Sequence, residues 1–183
     1  MNNDEKAGSP QVLVTGRHWL GADGARSIGS VIVDMISSAH QEIIIVAYRL
    51  TFSVAEFVQA LERALGRGCL VRIVRNCDDH PVPVEEEYIK RLMTQYDTLS
   101  VWDFKENNSA QQGFALHAKM VIVDRGHAVV GSANFSKNGM IENHEVAVEL
   151  FGMVVKSLGV VCDRLLENGQ REGVLIKRTA NEP

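Results

Sequence analysis

The stretch HAKMVIVDRGHAVVGSANFSKNGMIENHE, from His117 to Glu145, decides the fold and carries the residues on which a function can be argued. It begins with the pattern His-x-Lys, and the apolar run at 120–123 that follows is typical of a buried strand. Successive side chains of a strand point to opposite faces. His117 and Lys119 are therefore predicted to point the same way, at the start of this strand.

A second pair of polar residues with the same spacing follows another short apolar run, at 128–130. Ser132 and Asn134 are again two residues apart. Gly131, directly before them, allows another backbone to approach closely because glycine has no side chain. If the two strands are neighbours in one sheet, they present four polar side chains at one place.

These four side chains and Glu145 suit the chemistry of a phosphodiester. A neutral imidazole such as that of His117 is a nucleophile, and the compact ammonium of Lys119 can sit against a non-bridging oxygen. Ser132 and Asn134 can donate hydrogen bonds to charge that develops at phosphorus. The carboxylate of Glu145 is expected to hold the other ring nitrogen of His117 and to fix its tautomer. We therefore interpret all five residues as catalytic.

The spacing of the motif, HxKx4D followed by GSxN and a glutamate, closely resembles the signature of the phospholipase D superfamily. The stretches IIIVAYR at 43–49 and RGCLVRIVR at 67–75 also resemble strands of that family's sheet, so the resemblance covers most of residues 25–150. It implies that His117 forms a covalent phosphohistidine and that a second histidine protonates the leaving group. Among the members of the family, the chain is most similar to the small nucleases with a single signature.

Asp124 has a fixed place in that signature, but we predict that it supports the structure. It ends the first strand, directly before Arg125 and Gly126, where aspartate is a natural turn former. It also lies an odd number of residues from Lys119, which places it on the opposite face of the strand. Gly131 is assigned to structural support as well.

The overall charge does not indicate a nucleic-acid partner, since the formal net charge is -4. Several basic residues are nevertheless expected near the sheet and the site, among them Arg72 and Arg75. Arg49, at the end of a predicted strand, and Lys137 are candidates to bind substrate phosphate. Arg49 could equally pair with a surface carboxylate.

Two further segments could lie at the site. His18 and Trp19 could line its mouth or could form an ordinary packed pair. The polar segment 105–113 precedes His117, and it could be a flap over the site or a plain flexible connector.

Apolar periodicity predicts the other elements, which together indicate one α/β domain with a mixed, largely parallel sheet flanked by helices on both faces. Segment 42–47, a helix with Ser53 as its N-cap, and segment 69–75 form a β-α-β unit, whose crossover implies parallel strands. The remaining expected elements are an edge strand at 12–14, a helix from Ala25 to Ala39, a helix from Val84 to about Tyr96 with Val84, Tyr88, Leu92 and Tyr96 on one face, strands at 99–104 and 146–150, and a helix at 153–166 that Gly169 ends.

The length of 183 residues suits a single domain. We expect residues 1–10 to be flexible, residues 11–169 to form the catalytic domain and residues 170–183 to form a tail. The three cysteines, at 69, 77 and 162, form no C-x-x-C pair and are expected to be reduced core residues. The sequence contains no signal-like leader and no apolar run of about eighteen residues, so a cytoplasmic location is expected.

The leading interpretation is a metal-independent phosphodiesterase without a cofactor, because no carboxylates have the spacing of metal ligands. It is predicted to be a nuclease, and the resemblance alone adds a restriction or phage-defence system with possible partner subunits. A phospholipase or transferase acting on lipid head groups would use the same chemistry, but no basic amphipathic helix is present. The third interpretation is a non-catalytic nucleic-acid-binding or assembly subunit, against which the intact catalytic set argues.

The implied mechanism needs two histidines around one phosphate, whereas the chain has one His-x-Lys motif and no internal repeat. His18, His80, His127 or His144 could supply the second histidine, but none has a lysine two residues later. A C2 axis would bring two copies of the motif together. We therefore expect a homodimer that shares one active site.

Overall fold

The structure is a computed structural model that describes residues 8–76, 82–105 and 115–180. Its strands are β1 (Gln11–Thr15), β2 (Arg26–Ser27), β3 (Glu42–Ala47), β4 (Leu70–Asn76), β5 (Leu99–Phe104), β6 (Met120–Val123), β7 (His127–Gly131), β8 (Glu145–Phe151) and β9 (Leu175–Lys177). Its α-helices are α1 (Ile28–Ser37), α2 (Ala55–Gly66), α3 (Pro83–Gln95) and α4 (Met153–Arg171), and it has a 3-10 helix at Ala22–Gly24 and a π-helix at Asn138–Glu142.

The strands form one mixed sheet in the order β2-β1-β8-β7-β6-β3-β4-β5-β9. β3, β4 and β5 are parallel, as the predicted β-α-β unit requires. The α/β class is confirmed, but the sheet is not largely parallel, because three of the strand pairs among the described residues are parallel and five are antiparallel. The short turn between β6 and β7 leaves room only for an antiparallel pair, and β8 then pairs antiparallel with β7.

The apolar core lies on both faces of the sheet, with β3 at its centre. Ile43 and Ile45 pack towards α1, α2 and α3, whereas Ile44 and Val46 pack towards α4. A strand that is covered on both faces has apolar residues at every position, which explains the uninterrupted run in β3. The prediction of helices on both faces is confirmed.

One detail of the predicted helices is wrong, and one apolar residue of the predicted face of α3 is exposed. Val54 occupies the N-cap position of α2, and the hydroxyl of Ser53 instead contacts Thr51 Oγ1 at 2.8 Å. Val84, in the first turn of α3, is 71% exposed, and the helix packs through Ile89 and Leu92.

The C-terminal part of the chain continues the fold beyond the predicted end of the last helix. Gly169 lies inside α4, where an added Cβ would be 2.6 Å from the side chain of Leu175. The chain turns at Gly173, which has a φ of +73°, and β9 then pairs antiparallel with β5. Residues 175–177 of the segment that was expected to be a tail are thus part of the sheet. At the other side, β1 lies one strand inside the edge, which is formed by β2.

Cys69 and Cys162 are buried free thiols, and burial raises the pKa of Cys162 to about 11. This agrees with their prediction as core residues. Residues 1–7 of the expected flexible N-terminus, Cys77, His80 and nearly all of the expected flap lie outside the described residues.

Candidate active site

His117 and Lys119 lie in the extended segment that leads into β6. The segment is fixed at two points. The N–H of Leu116 donates to Asn76 Oδ1 at 3.0 Å, and the N–H of Gly131 donates to the carbonyl of Lys119 at 3.2 Å. Asn76 ends β4 and Gly131 ends β7, so the candidate site lies where several strands of one sheet terminate.

His117 and Lys119 are in direct contact. Lys119 Nζ donates to the carbonyl oxygen of His117 at 2.8 Å and lies 3.2 Å from Nδ1 of its ring. Lys119 is only 7% exposed, whereas His117 is exposed. Burial lowers the pKa of Lys119, and the negative charge of Glu145 acts against this shift. The pair therefore combines an accessible imidazole with a cation that is held below the surface.

Tyr48 completes this part of the site and was not predicted as a site residue. Its ring centroid is 4.8 Å from that of His117, and Lys119 Nζ lies 5.1 Å from the centre of the Tyr48 ring. Both contacts favour a fixed position for the imidazole and the ammonium. The sequence signal was an aromatic residue directly after the buried strand β3, at the end of the sheet where the site lies.

Glu145 is held by other polar side chains. Ser132 Oγ donates to its Oε2 atom, and Asn143 Nδ2 donates to Oε1 at 3.2 Å. No hydrogen bond joins Glu145 to His117, although both residues are described, so the predicted contact is absent within the chain. The reason is the strand order: Glu145 begins β8, and β7 lies between β8 and β6.

Asn134 has a half-buried side chain whose Oδ1 atom has no hydrogen-bond partner among the described residues. A buried amide oxygen without a partner is unfavourable, and such groups commonly have a role that a static structure does not show. The backbone of Asn134 is tightly packed, because a Cβ at Gly139 would lie 2.3 Å from its carbonyl oxygen. Gly139 was not identified from the sequence.

Gly131 lies where β7 and β8 approach closely. An added Cβ would be 2.5 Å from the Cβ of Ala147 and 2.6 Å from the carbonyl oxygen of Val146. The neighbouring hydroxyl of Ser132 accepts the N–H of Val146 at 3.2 Å. A residue without a side chain is therefore needed at position 131 to bring Ser132 against the start of β8.

Asp124 lies at the opposite end of β6 from His117. Its carboxylate accepts the backbone N–H groups of His40, Gln41 and Glu42 at 2.8–2.9 Å. Partial burial raises its pKa, but the three N–H donors outweigh this effect and hold the pKa below its usual value. These contacts tie the end of β6 to the start of β3, as expected of a supporting residue.

The two residues predicted to bind substrate are on the surface. Arg49 is exposed, and its charge acts against the rise in the pKa of Glu85 that burial causes. Lys137 Nζ is 2.7 Å from Glu142 Oε1 in an exposed ion pair. Neither side chain contacts His117 or Lys119 in this structure, so their role in substrate binding stays a prediction.

Of the candidates for a second histidine, His127 lies at the start of β7, at the other end of that strand from Ser132, and contacts Glu149 Oε1 at 2.8 Å. His18 and His144 lie together beside Glu145. His80 is outside the described residues.

A cleft with a volume of about 550 Å³ opens beside His117, between α4 and the segment that leads into β6. Its walls include Leu116, Val161, Arg164 and Asn168. The imidazole of His117 is thus at the edge of a space large enough to receive part of a substrate.

The described ranges contain no group of three or more His, Cys, Asp or Glu side chains placed to hold a metal ion. They also contain no helix that is both long and apolar enough to cross a membrane.

Comparison with protein families shows that residues 32–157 match the profile described as "Cardiolipin synthase, PLD-like domain". The DISARM protein DrmC of Bacillus paralicheniformis is 29% identical over 151 residues, which are 80% of this chain and 59% of that relative. The chain thus spans about six tenths of the length of the relative it matches.

Three solved structures have a similar fold at low sequence identity. NucT from Helicobacter pylori is 19% identical with a TM-score of 0.67, and the match covers 86% of this chain and 96% of that one. The phospholipase D family member Nuc from Salmonella typhimurium is 24% identical with a TM-score of 0.62, covering 92% and 98%. The phosphatidylserine synthase of Haemophilus influenzae is 14% identical with a TM-score of 0.65, covering 92% and 40%.

Proposed function

Because the chain belongs to the phospholipase D superfamily, we propose that it is a metal-independent nuclease that hydrolyses phosphodiester bonds through a phosphohistidine. The observation that carries the proposal is the contact between the exposed ring of His117 and the buried ammonium of Lys119. A nucleophile next to a fixed positive charge is what attack on an anionic phosphate requires.

In the proposed reaction, a ring nitrogen of His117 forms a bond to phosphorus, and the bond from phosphorus to the leaving oxygen breaks. A second histidine gives its proton to that oxygen. The same histidine then removes a proton from water, whose oxygen attacks phosphorus and releases His117. Lys119, with Ser132 and Asn134 at the neighbouring strand end, would face the phosphate oxygens. A general acid and base of this kind typically contributes about 10²–10⁴-fold to the rate.

Nucleic acid is favoured over phospholipid as the substrate class by the extent of the structural matches. The chain corresponds to nearly the whole of NucT and Nuc, but to less than half of the phosphatidylserine synthase. The similarity to a DISARM protein favours an accessory role in phage defence, together with partner subunits. The cytoplasmic location expected from the sequence stays a prediction.

The proposed enzyme is a homodimer with one shared site, because the chain has a single His-x-Lys motif. A surface that suits a second copy lies next to the site. Val12, Val146 and Val148 are 59%, 43% and 37% exposed on the face of the sheet that α4 covers only in part. We refer to these three residues as the valine face.

The valine face ends next to the site, because Val146 directly follows Glu145 in β8, although the two side chains point to opposite faces of the sheet. α4 also exposes apolar residues at its outer side, including Val160 and Val161, which are 56% and 58% exposed. Val161 lines the cleft beside His117. An isologous interface in which α4 of each copy covers the valine face of the other would cover both surfaces and bring the two sites together.

The test is to incubate the purified protein, in EDTA, with labelled single- and double-stranded DNA, RNA and phosphatidylcholine. Acid quenching in denaturant should be avoided, and alkaline quenching should trap label on the protein as a phosphoramidate, which is labile to acid and stable to alkali. His117→Ala should remove both the trapped label and the hydrolysis. Label that persists in His117→Ala, or activity that is lost in EDTA and restored by Mg²⁺, would contradict the proposal.

A further inference from the structure

Three aromatic side chains form a cluster beside the candidate site that the proposed reaction does not use. The rings of His18 and His144 are nearly parallel, with centroids 5.0 Å apart and an interplanar angle of 14°. Trp19 packs edge-on against His144, at 5.3 Å and 76°. We refer to His18, Trp19 and His144 as the aromatic cluster.

A hydrogen bond joins the two histidines of the cluster. His18 Nδ1 and His144 Nε2 are 2.9 Å apart, so one ring nitrogen donates and the other accepts. Accepting requires a neutral ring, and the cluster in this form therefore contains at least one uncharged imidazole.

Gly16 shapes the support of the cluster. It has a φ of +94°, and an added Cβ would lie 2.8 Å from the ring of His144. Its carbonyl oxygen accepts the N–H groups of Trp19 and Leu20, at 3.0 and 3.3 Å, which closes the turn that presents Trp19. The rings are thus held in place before any ligand binds.

The strand register places this turn at the site. Thr15, the last residue of β1, pairs with Glu145, the first residue of β8. Gly16 and His144 are the next residues outward from that pair. The cluster is therefore next to Glu145, whose negative charge acts against the lowering of the Lys119 pKa by burial.

The cluster is exposed, which an ordinary packed group would not be. Trp19 is 40% exposed, whereas Trp102, the other tryptophan, is 7% exposed within the core. His18 and His144 are exposed as well. The cluster therefore leaves aromatic surface open to solvent beside the candidate site.

We propose that the aromatic cluster stacks a nucleobase of a single-stranded nucleic acid whose phosphate is held at His117 and Lys119. This inference rests on the proposed nuclease function and names its substrate class. Stacking of a base on an aromatic side chain strengthens binding, typically by about tenfold or more, and tolerates any base. In a duplex the faces of the bases are covered by their neighbours, so the cluster would favour single strands.

A membrane surface is the less suitable ligand. Peripheral proteins that bind bilayers commonly use a basic amphipathic helix with several apolar residues. Here a short turn presents Trp19 and Leu20, and Trp19 is engaged edge-on with His144. Lipid vesicles are therefore included in the test as a competing ligand.

The experiment uses the full chain carrying His117→Ala, which prevents turnover. Tryptophan fluorescence is followed while four ligands are added: a single-stranded oligonucleotide, an oligomer of the same length and charge without bases, the duplex, and vesicles of phosphatidylcholine and phosphatidylglycerol. We expect quenching by the base-bearing single strand, with affinity about tenfold or more above that for the abasic oligomer. Equal affinity for the two oligomers, or quenching by vesicles alone, would overturn the proposal.

A matched pair of variants tests Trp19 itself. Trp19→Phe keeps an aromatic face, whereas Trp19→Leu keeps an apolar side chain without one. Binding to these variants is measured by the fluorescence anisotropy of a dye-labelled single strand, because both variants lack the Trp19 fluorophore. We expect Trp19→Phe to bind the single strand nearly as well as the parent and Trp19→Leu to bind about tenfold more weakly. Equal binding by both variants would show that stacking at Trp19 is not used.

Failure of this proposal differs from failure of the nuclease proposal. If the unmodified protein hydrolyses no nucleic acid but base-dependent binding persists, the proposed function is wrong and the binding site stands. If hydrolysis is normal and the abasic oligomer binds as well as the base-bearing single strand, the nuclease proposal stands and the base-stacking proposal is wrong.

Discussion

His117 and Lys119 have different exposure, and this difference suits their proposed roles. The imidazole must reach a phosphorus atom, and it is exposed. The ammonium must stabilise charge, and an ion that is shielded from water acts more strongly on its neighbours. Lys119 is only 7% exposed and is framed by His117, Tyr48 and the charge of Glu145.

Glu145→Gln should leave the fold intact and lower kcat on the order of a hundredfold, with a much smaller change in KM. The carboxamide can still form hydrogen bonds with Ser132 and Asn143. It carries no negative charge, however, to stabilise the imidazolium cations that form in the proposed reaction. Steady-state kinetics on an oligonucleotide would measure the split. Glu142→Gln removes a nearby exposed carboxylate and serves as the matched control.

An unchanged kcat in Glu145→Gln, or an equal loss in Glu142→Gln, would show that Glu145 only supports the end of β8.

Asp124→Ala should lower the free energy of unfolding by about 3 kcal/mol, because three N–H groups lose a charged acceptor. Asp124→Asn tolerates the positive φ of 49° at this position and should cost less. Urea unfolding followed by circular dichroism would measure both. If Asp124→Ala is as stable as the parent protein, Asp124 does not stabilise the junction between β6 and β3.

The same residue predicts a dependence on pH. The pKa of Asp124 is lowered in the folded state, so its charge adds stability above the pKa of an unfolded aspartate, about 3.9. This contribution should be lost as the pH falls through the lower folded pKa. The stability difference between the parent and Asp124→Asn should therefore shrink in acid, and a difference that grows there would contradict the assignment.

At the residue scale, the sequence predicted the pairs that depend on strand alternation and missed those that depend on strand order. His117 and Lys119 point to one site because they are two residues apart. The predicted contact of Glu145 with His117 is absent within the chain because β7 lies between their strands. Tyr48 and Asn76 were missed. Tyr48 follows β3 and Asn76 ends β4, and the sequence does not show which strands lie next to these two in the sheet.

The elements that carry the site are held by close approach of backbones. Gly131→Ala should lower the free energy of unfolding by about 1–3 kcal/mol, since the added methyl group would meet Ala147 at 2.5 Å. It should also reduce activity, because Ser132 would move away from the start of β8. Gly66→Ala is the matched control, since nothing lies within 4 Å of its Cβ position. Denaturant unfolding of the two variants would compare them, and similar stabilities would contradict the prediction.

The basic residues that were expected near the site join elements to one another. Arg72 binds Asp163 of α4 at 3.0 Å and also contacts Glu42. Arg75 binds Asp103 at 2.8 Å, within β5. The sequence shows that these strands carry arginines, but it does not show that carboxylates from distant segments neutralise them. Local positive charge at the site is therefore smaller than the sequence suggested.

At the scale of the molecule, the exposed valine face supports the prediction that the protein is a homodimer with one shared active site. Wild-type protein refolded with an excess of His117→Ala chains should form mainly mixed dimers, each with one remaining histidine in the shared site. Activity should then fall well below the share contributed by wild-type chains. Activity proportional to that share, with mixed dimers shown to form, would mean that each chain has a complete site.

Val148→Glu should make the protein monomeric and inactive, because a charge would be buried in the interface. Val84→Glu is the matched control, since Val84 is an exposed valine on α3, on the other side of the sheet. Light scattering with size-exclusion chromatography would measure the mass. A dimeric Val148→Glu would exclude the valine face as the interface.

Much of the whole-molecule architecture followed from the sequence, because long apolar runs such as that of β3 define a covered sheet. The proportion of antiparallel strands could not be predicted from the sequence, because the apolar runs of β6, β7 and β8 do not show in which direction each strand crosses the sheet. β9 was missed because a three-residue strand has too short a pattern to recognise.

The two outer strands of the sheet are short: β2 has two residues and β9 has three. A long unpaired strand invites the backbone of another chain to extend the sheet, and proteins commonly avoid this with brief, charged margins. Arg26 and Lys177 supply such charges here. Edges this short and charged disfavour the addition of a strand from another chain at either side of the sheet.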